Sequence, residues 1–182
     1  TQENNNSKAA NTIKSPTKIQ IEENNEIISE KENIYGIFEP ANYDLNLNMW
    51  ANTKADELRS SLKRLEKIKL SKSSEEILEI ILFSFSYPPP GMSEKEFVNL
   101  KIDWLIKNEK VDLIESFLKQ NQEFESKSKA VQYLVDQNIA SANIKEGCDK
   151  IKFIDAKIKD PYLEKFKIYC LVFNKKNSEA QL

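Results

Sequence analysis

Apolar residues recur at helical spacing in the central stretch 97–118. Its first half places Phe97, Leu100 and Trp104 on one face of a helix, and the same period resumes at Val111. A polar break of about three residues separates the two halves, which leaves room only for a tight turn. The pattern therefore predicts two short amphipathic helices that fold back on each other as a hairpin.

The apolar pattern of this stretch returns further along the chain. Val98 and Ile106 coincide, at one common offset, with the identical residues Val131 and Ile139. This offset, which we call the repeat period, matches the length of about 33 to 34 residues that is typical of tetratricopeptide-type repeats. In such repeats one helix pair cannot bury its apolar face alone. We therefore expect an all-α fold of antiparallel hairpins stacked as a short tetratricopeptide-like solenoid, and an ordinary helical bundle is the alternative.

Composition and turn signals divide the chain into a linker and one domain. Residues 1–33 hold no aromatic residue and are rich in polar residues, which predicts a disordered linker. Residues 34–182 are predicted to form one helical-repeat domain. This domain comprises an irregular arm, three hairpins and the start of a further unit, at 34–51, 53–86, 93–121, 126–155 and 160–182. Because the last helix is apolar almost all round, we expect the chain to be a fragment of a longer solenoid.

Polar capping signals mark the predicted helix starts. Residues 52–53 and 73–74 supply Asn, Thr and Ser side chains ahead of the two helices of the first hairpin. Ser93 has a glutamate three residues later, which is the spacing of a capping box. Asp160 is followed by a proline, a combination typical of a helix N-terminus.

The predicted arm at 34–51 is unusually aromatic. It contains Tyr35, Phe38, Tyr43 and Trp50, while a glycine and a proline prevent a long helix. One interpretation is that the arm lies across the helices and covers the apolar surface of the first repeat. The other is that these four aromatic residues form an interaction surface for a ligand or partner.

Composition excludes several classes of function. The chain has no histidine, which rules out Ser-His-Asp and Cys-His catalysis and histidine-ligated zinc. The net charge is -2 and only Arg59 and Arg64 are arginines, which argues against nucleic-acid binding. Three glycines supply no phosphate-binding loop, and no pair of carboxylates stands out as catalytic. We therefore predict a protein that is not an enzyme and holds no cofactor or metal.

The two cysteines leave two interpretations open. Cys148 and Cys170 fall on predicted antiparallel neighbours at similar distances from the turn near residue 158, so a disulfide is one interpretation. Two small buried apolar residues are the other. A disulfide would indicate an oxidising compartment. The start at Thr1 is either the site left by signal-peptide removal or an arbitrary boundary. No apolar run in the sequence approaches the roughly 18 residues of a membrane span.

Several short motifs stand out along the domain. They are Asn48-Met49-Trp50, the PPPG connector at 88–91, Asp103-Trp104-Leu105, and Asp160-Pro161-Tyr162 followed by Lys165 and Tyr169-Cys170. Together they resemble a family of uncharacterised exported bacterial proteins built from tetratricopeptide-like helix pairs. The resemblance covers residues 35–182, and its last motif is the most specific. It implies an envelope or periplasmic solenoid without known enzymatic activity, and it supplies no catalytic residue.

These observations predict a protein-interaction scaffold of the cell envelope that holds a peptide or protein subunit in a groove between hairpins. A helical ligand carrier or carboxylate-based enzyme with a pocket between helices is the competing class. A purely structural spacer is a third interpretation, and the cytoplasm is the alternative location. A continuous groove would favour the scaffold, whereas an enclosed pocket with converging acids would favour ligand chemistry.

Overall fold

The computed structural model describes residues 33–121, 123–154, 159–176 and 178–181. Within these ranges the protein is predominantly helical, as the sequence predicts, with seven α-helices and no β-strand. The helices are α1 (Ala55–Leu65), α2 (Lys72–Phe83), α3 (Glu94–Lys107), α4 (Val111–Gln120), α5 (Lys127–Ala140), α6 (Ile144–Lys150) and α7 (Pro161–Phe173). Short 3-10 helices lie at Pro40–Tyr43, Ile151–Phe153 and Glu179–Gln181. The predicted disordered linker 1–33 lies outside the described residues except for Asn33.

The helices pack in chain order. Helix α3 packs against α4, α4 against α5, α5 against α6, and α6 against α7. In addition α3 contacts α5 and α5 contacts α7, so the first helices of successive pairs are also neighbours. A short amphipathic helix is stable mainly through such packing of its apolar face.

One backbone turn recurs at the ends of three helices, at intervals of one repeat period. Glu109, Ala142 and Lys175, which follow the ends of α3, α5 and α7, all have positive φ. In each turn the N–H of this residue donates to the carbonyl three residues earlier, at 2.9 to 3.1 Å. The next N–H donates to the carbonyl five residues earlier, at 2.8 to 3.0 Å. These bonds satisfy carbonyl groups at the helix ends that would otherwise lack partners.

A polar contact between helices recurs at the same interval. The carboxylate of Asp103 on α3 accepts from the ammonium of Lys129 on α5 at 2.5 Å. Asp136 and Tyr162 occupy the corresponding positions on α5 and α7, and there the tyrosine hydroxyl donates to the carboxylate. The contact between α3 and α5 is therefore reproduced between α5 and α7.

The apolar core follows the same register and then ends at α7. Phe97, Ala130 and Leu163 stand one repeat period apart and are all buried. Ile102 and Val135 are likewise fully buried, whereas their counterpart on α7 is half exposed. The prediction that α7 is apolar almost all round agrees with this exposed face, which comprises Ile168, Tyr169, Val172 and Phe173.

The predicted caps are correct at two helices and wrong at two. The Ser93 hydroxyl accepts from the N–H of Glu96 at 3.2 Å, and the Asp160 carboxylate accepts from two N–H groups of α7. At α1, however, the N-cap is Lys54 rather than residue 52 or 53. The Lys54 N–H donates to the Glu57 carboxylate. At α2 the cap is a serine at position 71, which starts the helix earlier than the predicted 73–74.

Segment 34–51 is joined to the α2–α3 connection by backbone hydrogen bonds. The N–H of Ile37 donates to the carbonyl of Phe83 at 2.6 Å, and the N–H of Phe85 donates to the carbonyl of Phe38 at 3.0 Å. Asn121, at the end of α4, accepts from the N–H of Gly36 and donates to its carbonyl. A Cβ at position 36 would lie 2.5 Å from the Phe85 nitrogen, so only glycine allows the two backbones to approach this closely.

Replacing Gly36 by alanine is expected to lower the free energy of unfolding by about 3 kcal/mol, because the added methyl group meets backbone that cannot rotate away. Urea denaturation monitored by circular dichroism measures this change. The matched control is Gly147→Ala on α6, where the new Cβ would find its nearest neighbours at 3.4 Å. That variant should stay within about 1 kcal/mol of the parent, since alanine favours the helix. Equal stability of both variants would contradict the close backbone approach at Gly36.

Candidate functional site

A groove lies between α1 and α3, with a volume of about 480 Å³. Leu62 of α1 and Leu100 and Trp104 of α3 supply its apolar lining. Trp104 is half-buried and packs against Phe83, with ring centroids 5.6 Å apart. Trp104 is thus held in place by the core while it still lines an accessible surface.

A second cavity, of about 340 Å³, adjoins the first. Glu66, Trp104 and Lys107 line both, and most of the other residues that line the second cavity belong to the α1–α2 connection and α2. Leu65, Leu70 and Leu78 are among its apolar lining residues. We call the two cavities together the Trp104 groove. Trp104 stands where they meet.

Ion pairs hold the acidic residues of the Trp104 groove. The partners are Glu96 with Arg59, Glu66 with Lys107, Asp103 with Lys129, and Glu75 with Lys110. Hydrogen bonding to Glu96 raises the pKa of Arg59, although burial acts against it, and hydrogen bonds to Glu75 and Glu79 raise the pKa of Lys110. These contacts link α1 to α3, α3 to α5 and α2 to the start of α4.

Two lysines of the Trp104 groove make no ion pair within the described residues, whereas each of its acidic residues makes one. Lys63 and Lys69 line the first and the second cavity respectively. Both side chains are exposed, and neither takes part in an ion pair with any residue in the described ranges. The unpaired charge of the groove is therefore positive.

A lysine is buried in the core next to segment 34–51. Lys101 of α3 is fully buried, and its ammonium donates to the carbonyl of Tyr35 at 2.7 Å and to that of Ser84 at 3.5 Å. It also lies 4.3 Å from the centroid of the Phe97 ring. Burial lowers the pKa of Lys101 to about 7, because a charged ammonium is poorly solvated in the protein interior.

The sequence analysis missed Lys101, although a signal was present. It stands four residues after Phe97 and four before Leu105, in the middle of the apolar face of α3. Its counterpart one repeat period later is Leu134, which is also fully buried. A lysine in a position that is apolar in the next repeat indicates a specific polar partner, and here the partners are backbone carbonyls beside segment 34–51.

The four aromatic residues predicted to form an interaction surface lie in different surroundings. Tyr35 and Trp50 are half-buried and pack edge to face against other aromatic rings, at 6.3 and 6.2 Å. The Trp50 indole N–H also donates to the Ser86 hydroxyl. Phe38 packs in the same manner against Tyr43, which is 42% exposed. A binding role for this surface stays a prediction.

Cys148 and Cys170 form a disulfide that joins α6 to α7, with their Cα atoms 5.4 Å apart. Of the two interpretations left open by the sequence, the structure contains the bridged form. The described part of the chain contains no group of three or more His, Cys, Asp or Glu arranged to hold a metal ion. Among its helices, none has the length and apolarity that crossing a membrane requires.

The Lys101→Met variant should change how stability depends on pH. Between pH 7 and 10.5 the unfolded chain holds a proton on Lys101 that the folded protein has released, so the stability of the parent protein rises with pH across this window. The variant lacks that gain. The free energy of unfolding of the parent, measured relative to that of the variant, should therefore be larger at about pH 9.5 than at pH 7. The exposed-site control Lys145→Met should follow the parent, and identical pH profiles for all three proteins would contradict the lowered pKa of Lys101.

Removing the disulfide with the double variant Cys148→Ala/Cys170→Ala should destabilise the folded protein by about 3 kcal/mol, because the bridge closes a loop with a sequence separation of 22. Amide hydrogen exchange should become faster in α6 and α7. Reducing agent serves as the control, since it should accelerate exchange in the parent and have no effect on the variant. Unchanged exchange in the reduced parent would show that the bridge does not stabilise α7.

The groove, the buried lysine and the disulfide are the features of the chain on which a functional argument can rest. No protein-family model matches the chain, and neither the curated proteins nor the solved structures contain a match.

Proposed function

We propose that the protein is a non-catalytic interaction scaffold of the cell envelope, which holds a peptide or a protein subunit in the Trp104 groove. The observation that carries this proposal is the groove itself. It is an open surface with an apolar floor, and it lies between two successive helix pairs. Such sites suit an extended peptide, because side chains enter the groove while the backbone stays near its polar rim.

The recurring geometry supports the interpretation of the fold as a scaffold. The positive-φ turn and the polar contact made by Asp103 both recur at the repeat period. These are the features expected of a tetratricopeptide-like solenoid, in which every pair of helices covers the previous one. The exposed apolar face of α7 fits a stack in which this face receives another packing partner.

The disulfide supports the proposed location. Disulfides persist in oxidising compartments such as the bacterial periplasm and are rare in the cytosol of mesophiles. The Cys148–Cys170 bridge therefore favours the cell envelope over the cytoplasmic alternative.

The competing function, ligand chemistry based on carboxylates, receives less support from the groove. The acidic residues Glu66, Glu96 and Asp103 of the first cavity each pair with a base. Two carboxylates that converge on a common point in an enclosed pocket would have favoured an acid–base mechanism. The groove instead is open and is walled by ion pairs.

A single-tryptophan variant tests the proposal directly. Trp50 and Trp104 are the two tryptophans, so Trp50→Phe leaves Trp104 as the sole indole reporter in the groove. We expect peptides selected from an unbiased display library on the parent protein to shift the fluorescence of this variant. The matched control, Trp104→Phe, keeps only Trp50 and should show little change with the same peptides. Failure to select any peptide, or an equal response from Trp50, would contradict the proposed site.

A further inference from the structure

We infer that the partner of the Trp104 groove is an extended peptide in which acidic side chains flank a central apolar residue. This inference rests on the proposed function and specifies the chemistry of the partner. It follows from three properties of the groove: the charge that remains unpaired, the position of the apolar floor, and an amide side chain at the rim.

The unpaired lysines of the groove determine which charge the peptide should carry. Glu66, Glu96 and Asp103 are neutralised by bases of the same chain, so a positively charged peptide would have to displace existing partners. Lys63 and Lys69 have no such partners in the described ranges. A carboxylate is therefore attracted to the groove, whereas a lysine or arginine of the peptide gains no unpaired acid.

The order of the cavities sets the order of the peptide's residues. Lys63 lines the first cavity, Lys69 lines the second, and Trp104 lines both. An apolar side chain of the peptide is best accommodated at Trp104, which lines both cavities together with leucines of each. Acidic residues on both sides of this central residue can then approach the two lysines.

The rim of the groove favours a peptide over a simple anion. Asn99 is partly exposed and lines the first cavity, and its side-chain amide makes no hydrogen bond within the described part of the chain. An amide group can donate and accept at once, which matches the N–H and C=O of a peptide backbone. Arg59, the guanidinium that lines the groove, is already held by Asp56 and Glu96 and so is not available for bidentate binding of an anion.

Four synthetic fluorescent peptides of one length, three of them with a central leucine, test the inference. Their flanking residues are Glu in the first peptide, Gln in the second and Lys in the third, and a fourth keeps Glu but replaces the central leucine by serine. We expect the Glu peptide to bind about tenfold more tightly than the Gln peptide, since each exposed ion pair contributes up to about 1 kcal/mol. This preference should shrink when salt is raised from about 0.05 M to about 0.5 M. The Lys and serine peptides should bind most weakly.

Charge-reversal variants locate the binding site. The variant Lys63→Glu/Lys69→Glu should lose the preference for the Glu peptide and bind the Lys peptide better than the parent does. The control Lys145→Glu/Lys167→Glu makes the same change in net charge at exposed positions of α6 and α7 and should retain the preference. The Trp104→Phe variant, with its fold checked by circular dichroism, should bind the Glu and Gln peptides more weakly than the parent does, by similar factors.

The outcomes separate this inference from the proposed function. If the Gln peptide binds in the groove as tightly as the Glu peptide, the inference is overturned and the scaffold function stands. The same holds if the serine peptide binds equally well, or if only the control variant loses the preference. If neither the designed peptides nor any peptide from the unbiased library binds the parent protein, the proposed function fails as well.

Discussion

Short amphipathic helices cannot bury their own apolar face, and this constraint shapes the whole described structure. Phe97, Ala130 and Leu163 occupy corresponding positions in α3, α5 and α7, and each is buried because a neighbouring helix covers it. The register of this burial is kept by the turn at Glu109 and its two counterparts, which direct the chain back along the preceding helix. Helices α3, α5 and α7 have 14, 14 and 13 residues and are followed by the same turn.

The core around α3 differs from the core around α5 at the position of Lys101. There the core contains Lys101 instead of the leucine found at the corresponding position of α5, and its ammonium is satisfied by carbonyls of Tyr35 and Ser84. A buried amino group, charged or neutral, costs stability unless its hydrogen bonds are made, so this lysine favours a structure in which segment 34–51 stays in place. These hydrogen bonds favour the conformation of the segment that brings the Tyr35 carbonyl to Lys101. An apolar residue at this position would bury well but would not select that conformation.

The sequence predicted what depends on periodicity and local signals, and it missed what depends on tertiary contacts. Helical spacing and the repeat period predicted the helices, and the caps at Ser93 and Asp160 were recognised from local residue type. The Lys54 cap was missed because it depends on a carboxylate one turn later rather than on its own side chain. The sequence predicted a groove between hairpins but not that Trp104 would line it, since the separation of the helices is not encoded in any local pattern. The unpaired state of Lys63 likewise becomes visible only when the partners of every neighbouring acid are known.

The groove between α1 and α3 lies where the spacing of the helix starts changes. The interval from the start of α3 to the start of α5 equals one repeat period, whereas the interval from α1 to α3 is longer, so the first helix pair does not share the spacing of the others. The additional residues leave α1 bridged to α3 by the ion pairs Arg59–Glu96 and Lys107–Glu66 at the rim of the groove. The groove therefore coincides with the longer interval between helix starts, and departures from regular packing are where functional sites are expected.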